Sequence, residues 1–177
     1  MYDEKFMRRA IELSAQALET PGARPYGAVV VKDGRIVGEG LNQSAKNFDP
    51  TSHGEVEAIR DACRNLKTTD LSGTDLYTSC EPCSVCVATM YMAGIARMYY
   101  GASLDQSGAV VPRPPLPPRP DLVRAQVGLP VEQRDMPAEQ KLGDEAVAVL
   151  KAWCRGGSRR NWRPAGGAFP PPLAGEG

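Results

Sequence analysis

The stretches His53-Gly54-Glu55 and Pro82-Cys83-Ser84-Val85-Cys86 carry the side chains that decide how this chain is read. Each stretch stands at the predicted start of a helix. Residues three apart on a helix share one face, with Cβ atoms about 5–6 Å apart, so Cys83 and Cys86 can both reach a single metal ion. The positive end of the helix also favours the thiolate form that binds metal. This spacing predicts two sulfur ligands to one Zn²⁺ ion.

His53 is the single histidine of the chain, which excludes a metal site built on two histidines. Added to Cys83 and Cys86, it gives three protein ligands and leaves one tetrahedral position for a water molecule. Open sites of this kind are catalytic, because zinc lowers the pKa of its bound water from about 15.7 toward about 7. Glu55 then has a task as the base and proton carrier beside that water.

Around these stretches the pattern alternates between helices and strands. Asp33-Gly34 separates two β-rich runs, which is a strong hairpin signal, and a strand–helix–strand order farther along predicts a mixed sheet. Thr51 or Ser52 is the expected cap of the second helix. The predicted elements are a helix over 3–19, strands over 26–32 and 35–41, a helix over 53–66, a strand over 75–79, a helix over 83–92 and a strand over 95–101.

Beyond residue 105 the pattern is weaker. The run at 112–120 holds six prolines in nine residues and predicts an extended surface loop. Helices are expected over 121–127 and 144–153. Residues 156–177 offer almost nothing to bury and are expected to be a disordered tail. The prediction is one domain over 1–155 that contains the proline-rich loop.

The amino-acid composition argues against several classes of function. The 177 residues are 42% hydrophobic and 24% charged, typical of a globular chain. No apolar run approaches the roughly 20 residues of a membrane-spanning helix. Lys plus Arg balances Asp plus Glu at 21 each. A net charge of zero argues mildly against a nucleic-acid partner but does not exclude one. Five cysteines and no recognisable secretory signal favour thiols or metal ligands in the cytoplasm.

These residues, with their neighbours, resemble the cytidine/deoxycytidylate deaminase superfamily of zinc hydrolases. His-x-Glu followed by Pro-Cys-x-x-Cys is the signature of zinc deaminases. The stretch Tyr77-Thr78-Ser79-Cys80-Glu81-Pro82-Cys83 is most similar to bacterial guanine deaminases and related nucleoside deaminases. Further matching segments, in the family's order and spacing, lie at 25–31, 40–42, 49–60 and 76–86.

The resemblance implies a three-layer α/β/α sandwich with a mixed five-stranded sheet and zinc between its second and third helices. It implies hydrolytic removal of an exocyclic amino group from a nucleobase or nucleoside, by attack of zinc-bound hydroxide. Glu55 would carry the proton, Asn42 would hydrogen-bond the ring, and Tyr26 would build the wall of the base pocket. His53 would occupy the irregular first turn of its helix, and the protein would form a homodimer.

The chain also departs from guanine deaminases. Met92 stands where those enzymes commonly carry Trp, and the proline-rich run is an insertion. The substrate expected is a guanine-type purine. A tRNA adenosine deaminase and a cytosine- or cytidine-type deaminase are the alternatives.

A different class of function is also open. Cys80, Cys83 and Cys86 are evenly spaced, and with His53 they could form a closed structural zinc centre. Such a protein would be a zinc-stabilised interaction module with no catalytic activity. Glu55 would have no purpose in a closed site, which favours the catalytic interpretation.

Overall fold

The computed structural model describes residues 2–111 and 120–155. Proximity of Cα atoms divides the chain into two units, Met1–Gly128 and Leu129–Gly177. The predicted tail at 156–177 and the proline-rich loop, apart from Pro120, lie outside the described residues. The prediction of one domain over 1–155 stays a prediction.

The helices and strands of the first unit follow the predicted order. Two short helices, over Ser44–Asn47 and Leu104–Val110, were not anticipated. The elements are α1 (Glu4–Ala15), a 3₁₀ turn (Gln16–Leu18), β1 (Arg24–Lys32), β2 (Arg35–Asn42), α2 (Ser44–Asn47), α3 (Gly54–Leu66), β3 (Asp75–Cys80), α4 (Ser84–Ala93), β4 (Arg97–Ala102), α5 (Leu104–Val110) and α6 (Pro120–Val127).

The four strands form one mixed sheet in the order β2-β1-β3-β4. β1 is antiparallel to both β2 and β3, and β3 is parallel to β4 with α4 as the crossover. The expectation of a fifth strand is wrong, because the sheet of the described residues has four. After β4 the chain enters a helix capped by Ser103 and then the proline-rich run, and proline cannot donate to a strand ladder.

Both faces of the sheet are covered, which gives the three layers that were expected. α1 packs on one face through Phe6, Met7, Ala10 and Leu13, against Val29, Val31 and Tyr77. α3 and α4 pack on the other face, with Ala28, Val30 and Leu76 from the sheet in that core. The alternation along β1 follows from the period of two in a strand, which sends successive side chains to opposite faces.

Two glycines let α3 lie very close to β2. A Cβ on Gly40 would stand 2.1 Å from the Gly54 carbonyl oxygen, and one on Gly38 would stand 2.3 Å from that of Ala58. Both distances are impossible for a real side chain, so a larger residue at either position would push α3 away. The glycines therefore set the height of α3, and of the residues at its start, above the sheet.

The second unit contains a 3₁₀ turn (Val131–Gln133) and α7 (Gly143–Arg155). These bounds include the helix predicted over 144–153. No helix among the described residues is long and apolar enough to cross a membrane.

Candidate active site

His53 is the N-cap of α3 and has an extended backbone, with φ −81° and ψ 154°. Its side chain forms no cap hydrogen bond to the helix and is free to point elsewhere. The expectation that Thr51 or Ser52 caps this helix is wrong. Because His53 lies outside the regular turns, it can share a site with Glu55, whereas residues two apart within a helix do not share a face.

The two cysteines come from the start of α4, directly after β3. Cys83 is the N-cap of that helix, and Cys86 lies in its first turn. The Cys83 Sγ lies 3.5 Å from His53 Nδ1, the Cys86 Sγ lies 3.4 Å from the same nitrogen, and the two sulfurs are 3.6 Å apart. Three side chains from two helices thus form a small triangle of ligand atoms.

The dimensions of this triangle fit a zinc ion. Ligands placed tetrahedrally at Zn–S about 2.3 Å and Zn–N about 2.0–2.1 Å lie about 3.5–3.8 Å from one another. The three observed separations are within about 0.2 Å of that range, and the donor set of one nitrogen and two sulfurs is one that zinc prefers. His53, Cys83 and Cys86 are therefore positioned to bind a metal ion.

Hydrogen bonding and burial change the acidity of the three ligand groups. A hydrogen bond joins the two thiols, and with the nearby imidazole it lowers the pKa of Cys83 to about 4. The same interaction and burial raise the pKa of Cys86. The Cys83 hydrogen bond raises the pKa of His53 as well. A divalent cation bound among the three groups would deprotonate both thiols, because it replaces the shared protons with its own charge.

Glu55 is buried beside this cluster. Its side chain is 5% exposed, and its carboxylate lies close to the Cys86 thiol. Burial raises the pKa of Glu55, and this effect is larger than the opposing hydrogen bonds. A carboxyl group whose pKa is raised holds a proton more readily than an ordinary carboxylate, which suits a group that must both accept and release one.

Cys80 does not belong to the cluster. Among the described residues, the group that could hold a metal is His53, Cys83 and Cys86. The Cys80 Sγ instead lies 4.0 Å from the Ser103 carbonyl oxygen, and its thiol also interacts with Ser107. The geometry therefore does not support the closed Cys3His centre, and three ligands leave one tetrahedral position open.

Asn42 and Tyr26 lie at the adjoining ends of β2 and β1. Asn42 is buried at the end of β2, opposite Arg24 in the strand register. The register shifts between Arg24 and Gly27, so a bulge carries Tyr26, as is common beside active sites. The Tyr26 hydroxyl lies 3.0 Å from Ser107 Oγ.

The sequence analysis did not predict two short helices that lie near the site. α5 lies after β4, where the Leu104 amide donates to Glu81 Oε2 at 3.0 Å. α2 lies between Asn42 and His53, and its Asn47 reaches Ser52. The Ser103-Leu104-Asp105-Gln106 capping box was the available signal for α5. With four residues, α2 carries no periodic signal.

The sequence model of the cytidine and deoxycytidylate deaminase zinc-binding region matches residues 1–102. The chain belongs to this family. It is a zinc-dependent hydrolytic deaminase.

Similar proteins agree with this assignment. A guanine deaminase of Bacillus subtilis (strain 168) is 35% identical over 154 residues, which cover 86% of this chain and 94% of that protein. A tRNA-specific adenosine deaminase of Haemophilus influenzae is 42% identical over 110 residues, which cover 62% of this chain and 63% of that protein. The crystal structure of the B. subtilis guanine deaminase superposes with a TM-score of 0.75 at 34% identity, covering 88% of this chain and 95% of that one. For a guanine deaminase of Nitrosomonas europaea the TM-score is 0.58 at 27% identity, with 64% of this chain and 68% of that one covered.

Proposed function

We propose that this chain is a guanine-type purine deaminase, which replaces the exocyclic amino group with an oxygen from water and releases ammonia. The observation that carries the proposal is the extent of the likeness. Similarity to the B. subtilis guanine deaminase runs over 154 residues, well past the shared zinc-binding region at 1–102. Similarity to the tRNA deaminase of H. influenzae spans 110 residues.

The proposed roles follow from the geometry of the site. His53, Cys83 and Cys86 would hold Zn²⁺, which when bound supplies a Lewis acid that lowers the pKa of water. Glu55 takes one proton from the attacking water and passes it to a ring nitrogen. It then takes the second proton from the hydroxyl group added to the ring carbon and passes it to the amino group, which leaves as ammonia. Its burial beside the ligands and its raised pKa support this role.

Substrate binding is assigned to the ends of the first two strands. Asn42 donates a hydrogen bond to an acceptor atom of the ring, and Tyr26 forms part of the pocket wall. The support is their place at the adjoining ends of β1 and β2, and the hydrogen bond that holds Tyr26 to Ser107. The substrate is a small molecule, a free base or its nucleoside.

The test is ammonia release from the zinc-loaded protein with guanine, guanosine, deoxyguanosine, adenine, adenosine, cytosine and cytidine. We expect release from one guanine-type compound and a fall of at least about 10³-fold in Glu55→Gln, with zinc content unchanged. Ammonia release from cytosine or cytidine instead would replace the proposal with a cytosine-type deaminase. If no compound of the panel is deaminated and adenosine in tRNA is, the protein is a tRNA adenosine deaminase. Full activity in Glu55→Gln would overturn the proton-carrier role.

We also propose that the protein is a homodimer. α4 is apolar around most of its circumference, and a helix of that kind is normally covered on all sides. In the single chain Tyr91 is 82% exposed and Met92 is 89% exposed, and Met98 and Tyr100 on β4 are also exposed. A second copy would cover them.

We further propose a cytoplasmic location, which the free thiols of Cys63, Cys80, Cys83 and Cys86 support.

A further inference from the structure

The loop between Asn42 and His53 is closed at its base. The Gln43 amide donates to the Ser52 carbonyl oxygen at 3.0 Å, so the neighbour of Asn42 is bonded directly to the neighbour of His53. Inside the loop, the Asp49 amide donates to the Ser44 carbonyl oxygen at 3.0 Å. The proposed substrate residue and the metal-site residue are thus the two ends of one hydrogen-bonded segment.

Ser44, the first residue of α2, sets the orientation of the Asn42 side chain. Its backbone amide and its hydroxyl lie 3.2 and 2.9 Å from Asn42 Oδ1. A backbone amide can only donate, so the atom that faces it must be the oxygen of Asn42. The Nδ2 group has no hydrogen-bond partner among the described residues, and it therefore offers its donors to a ligand.

α2 cannot hold this orientation unaided, because a helix of four residues has almost no intrinsic stability. Its last residue, Asn47, donates through Nδ2 to Ser52 Oγ at 3.0 Å. The Ser52 hydroxyl in turn donates to Glu57 Oε1 at 2.9 Å. Ser52 is completely buried, so water cannot replace either bond.

Glu57 fixes the other end of this chain of bonds to α3. Its Oε1 also accepts from Arg60 Nη1 at 2.6 Å, and Arg60 Nη2 donates to Thr51 Oγ1 at 3.1 Å. Both Glu57 and Arg60 belong to the helix that begins after His53. Ser52 therefore ties α2 to the helix that carries the metal site.

We propose that Ser52 is a positioning residue for the substrate: it fixes α2, and α2 through Ser44 aims the Nδ2 group of Asn42. This proposal rests on the proposed role of Asn42 as a ring-binding residue. It predicts that loss of the Ser52 hydroxyl weakens substrate binding with little effect on the chemical step.

The kinetic test compares Ser52→Ala with Thr74→Val. Thr74 is equally buried and its hydroxyl donates to the Leu71 carbonyl oxygen at 2.6 Å, so Thr74→Val removes a comparable bond away from the site. We expect Ser52→Ala to raise KM about tenfold, the effect of about one lost hydrogen bond, and to change kcat less than about twofold. Thr74→Val should change neither. In an Asn42→Ala background, Ser52→Ala should change KM less than about twofold, because the group it positions is gone.

A second measurement is independent of turnover. The side-chain amide signals of Asn42 in a ¹⁵N NMR spectrum should be well dispersed in the parent protein and in Thr74→Val, and should broaden or collapse toward free-amide positions in Ser52→Ala. Failure of the parent to deaminate any guanine-type compound would remove the proposed function, and the Asn42 signals would still decide the positioning. Unchanged Asn42 signals in Ser52→Ala, or a tenfold KM effect that persists without Asn42, would overturn the proposal.

Discussion

The spacing of three cysteines leaves their roles open, and the directions of their side chains separate them. Cys83 and Cys86 face His53, whereas the Cys80 thiol faces the Ser103 carbonyl oxygen. We expect Cys80→Ser to keep one zinc per chain, because serine retains a hydrogen-bonding group in place of the thiol. Cys83→Ser should lose most of the metal, because a hydroxyl does not ionise to bind zinc as a thiolate does.

Zinc content measured by atomic emission, after passage over a chelating column, checks this prediction. Ser84→Ala is the control for a change at the same helix end that leaves all three ligands in place. Loss of zinc from Cys80→Ser as well as from Cys83→Ser would restore the closed structural site and remove the open position that deamination requires.

At this scale the sequence predicted the residues of the site but not all of their contacts. His53, Cys83 and Cys86 follow from residue type and spacing, because few side chains bind zinc and one histidine is present. Thr51 or Ser52 was expected to cap α3. His53 is the N-cap instead, and the Ser52 hydroxyl donates to Glu57. A serine that caps a helix and a serine that bonds a side chain of that helix look the same in the sequence. Which bond Ser52 forms depends on where α2 places Asn47, whose side chain donates to Ser52.

At the scale of elements, the contact between β2 and α3 makes a sharp prediction about stability. A methyl group on Gly40 would stand 2.1 Å from the Gly54 carbonyl oxygen and 2.4 Å from the Ala58 nitrogen. Both neighbours are backbone atoms that cannot rotate away, so α3 must shift. We expect Gly40→Ala to lower the free energy of unfolding by about 3 kcal/mol and to weaken zinc binding, since His53 is the N-cap of α3.

Urea denaturation and zinc titration measure the two effects. Gly128→Ala is the matched control: a Cβ there would meet nothing within 4 Å, so the same substitution should leave both quantities unchanged within about 0.5 kcal/mol. An unfolding free energy for Gly40→Ala equal to that of Gly128→Ala would mean that α3 does not lie against β2 as described.

The elements that the sequence predicted well are those with strong local signals. Asp33 and Gly34 have φ of 49° and 73°, the paired positive values of a tight hairpin turn, and Gly94 ends α4 with φ 76°. The number of strands was wrong because it came from the family resemblance and not from this chain. After β4, Ser103 caps a helix and the proline-rich run follows, so local sequence overrides the family pattern there.

For the whole molecule, a metal held between α3 and α4 is a link between two helices on one face of the sheet. Removing it leaves both hydrophobic cores in place, so we expect the zinc-free protein to stay folded with a lower Tm. Calorimetry before and after chelation checks this expectation. Added Zn²⁺ should restore the Tm and Mg²⁺ should not, because sulfur ligands select zinc. An unchanged Tm after complete removal of zinc would contradict it.

The exposed apolar residues of α4 and β4 make the final prediction, which concerns assembly. Tyr91 and Met92 are more than 80% exposed in one chain, and a second copy placed over them would remove the largest side chains of α4 from water. We expect light scattering to give twice the 19.0 kDa chain mass for the parent protein and the single-chain mass for a Tyr91→Glu/Met92→Lys double variant. Leu18→Glu is the control, since Leu18 is 85% exposed and follows α1 on the opposite face of the sheet. A parent protein that runs as a monomer, or a dimer that the double variant leaves intact, would show that this surface does not join two copies.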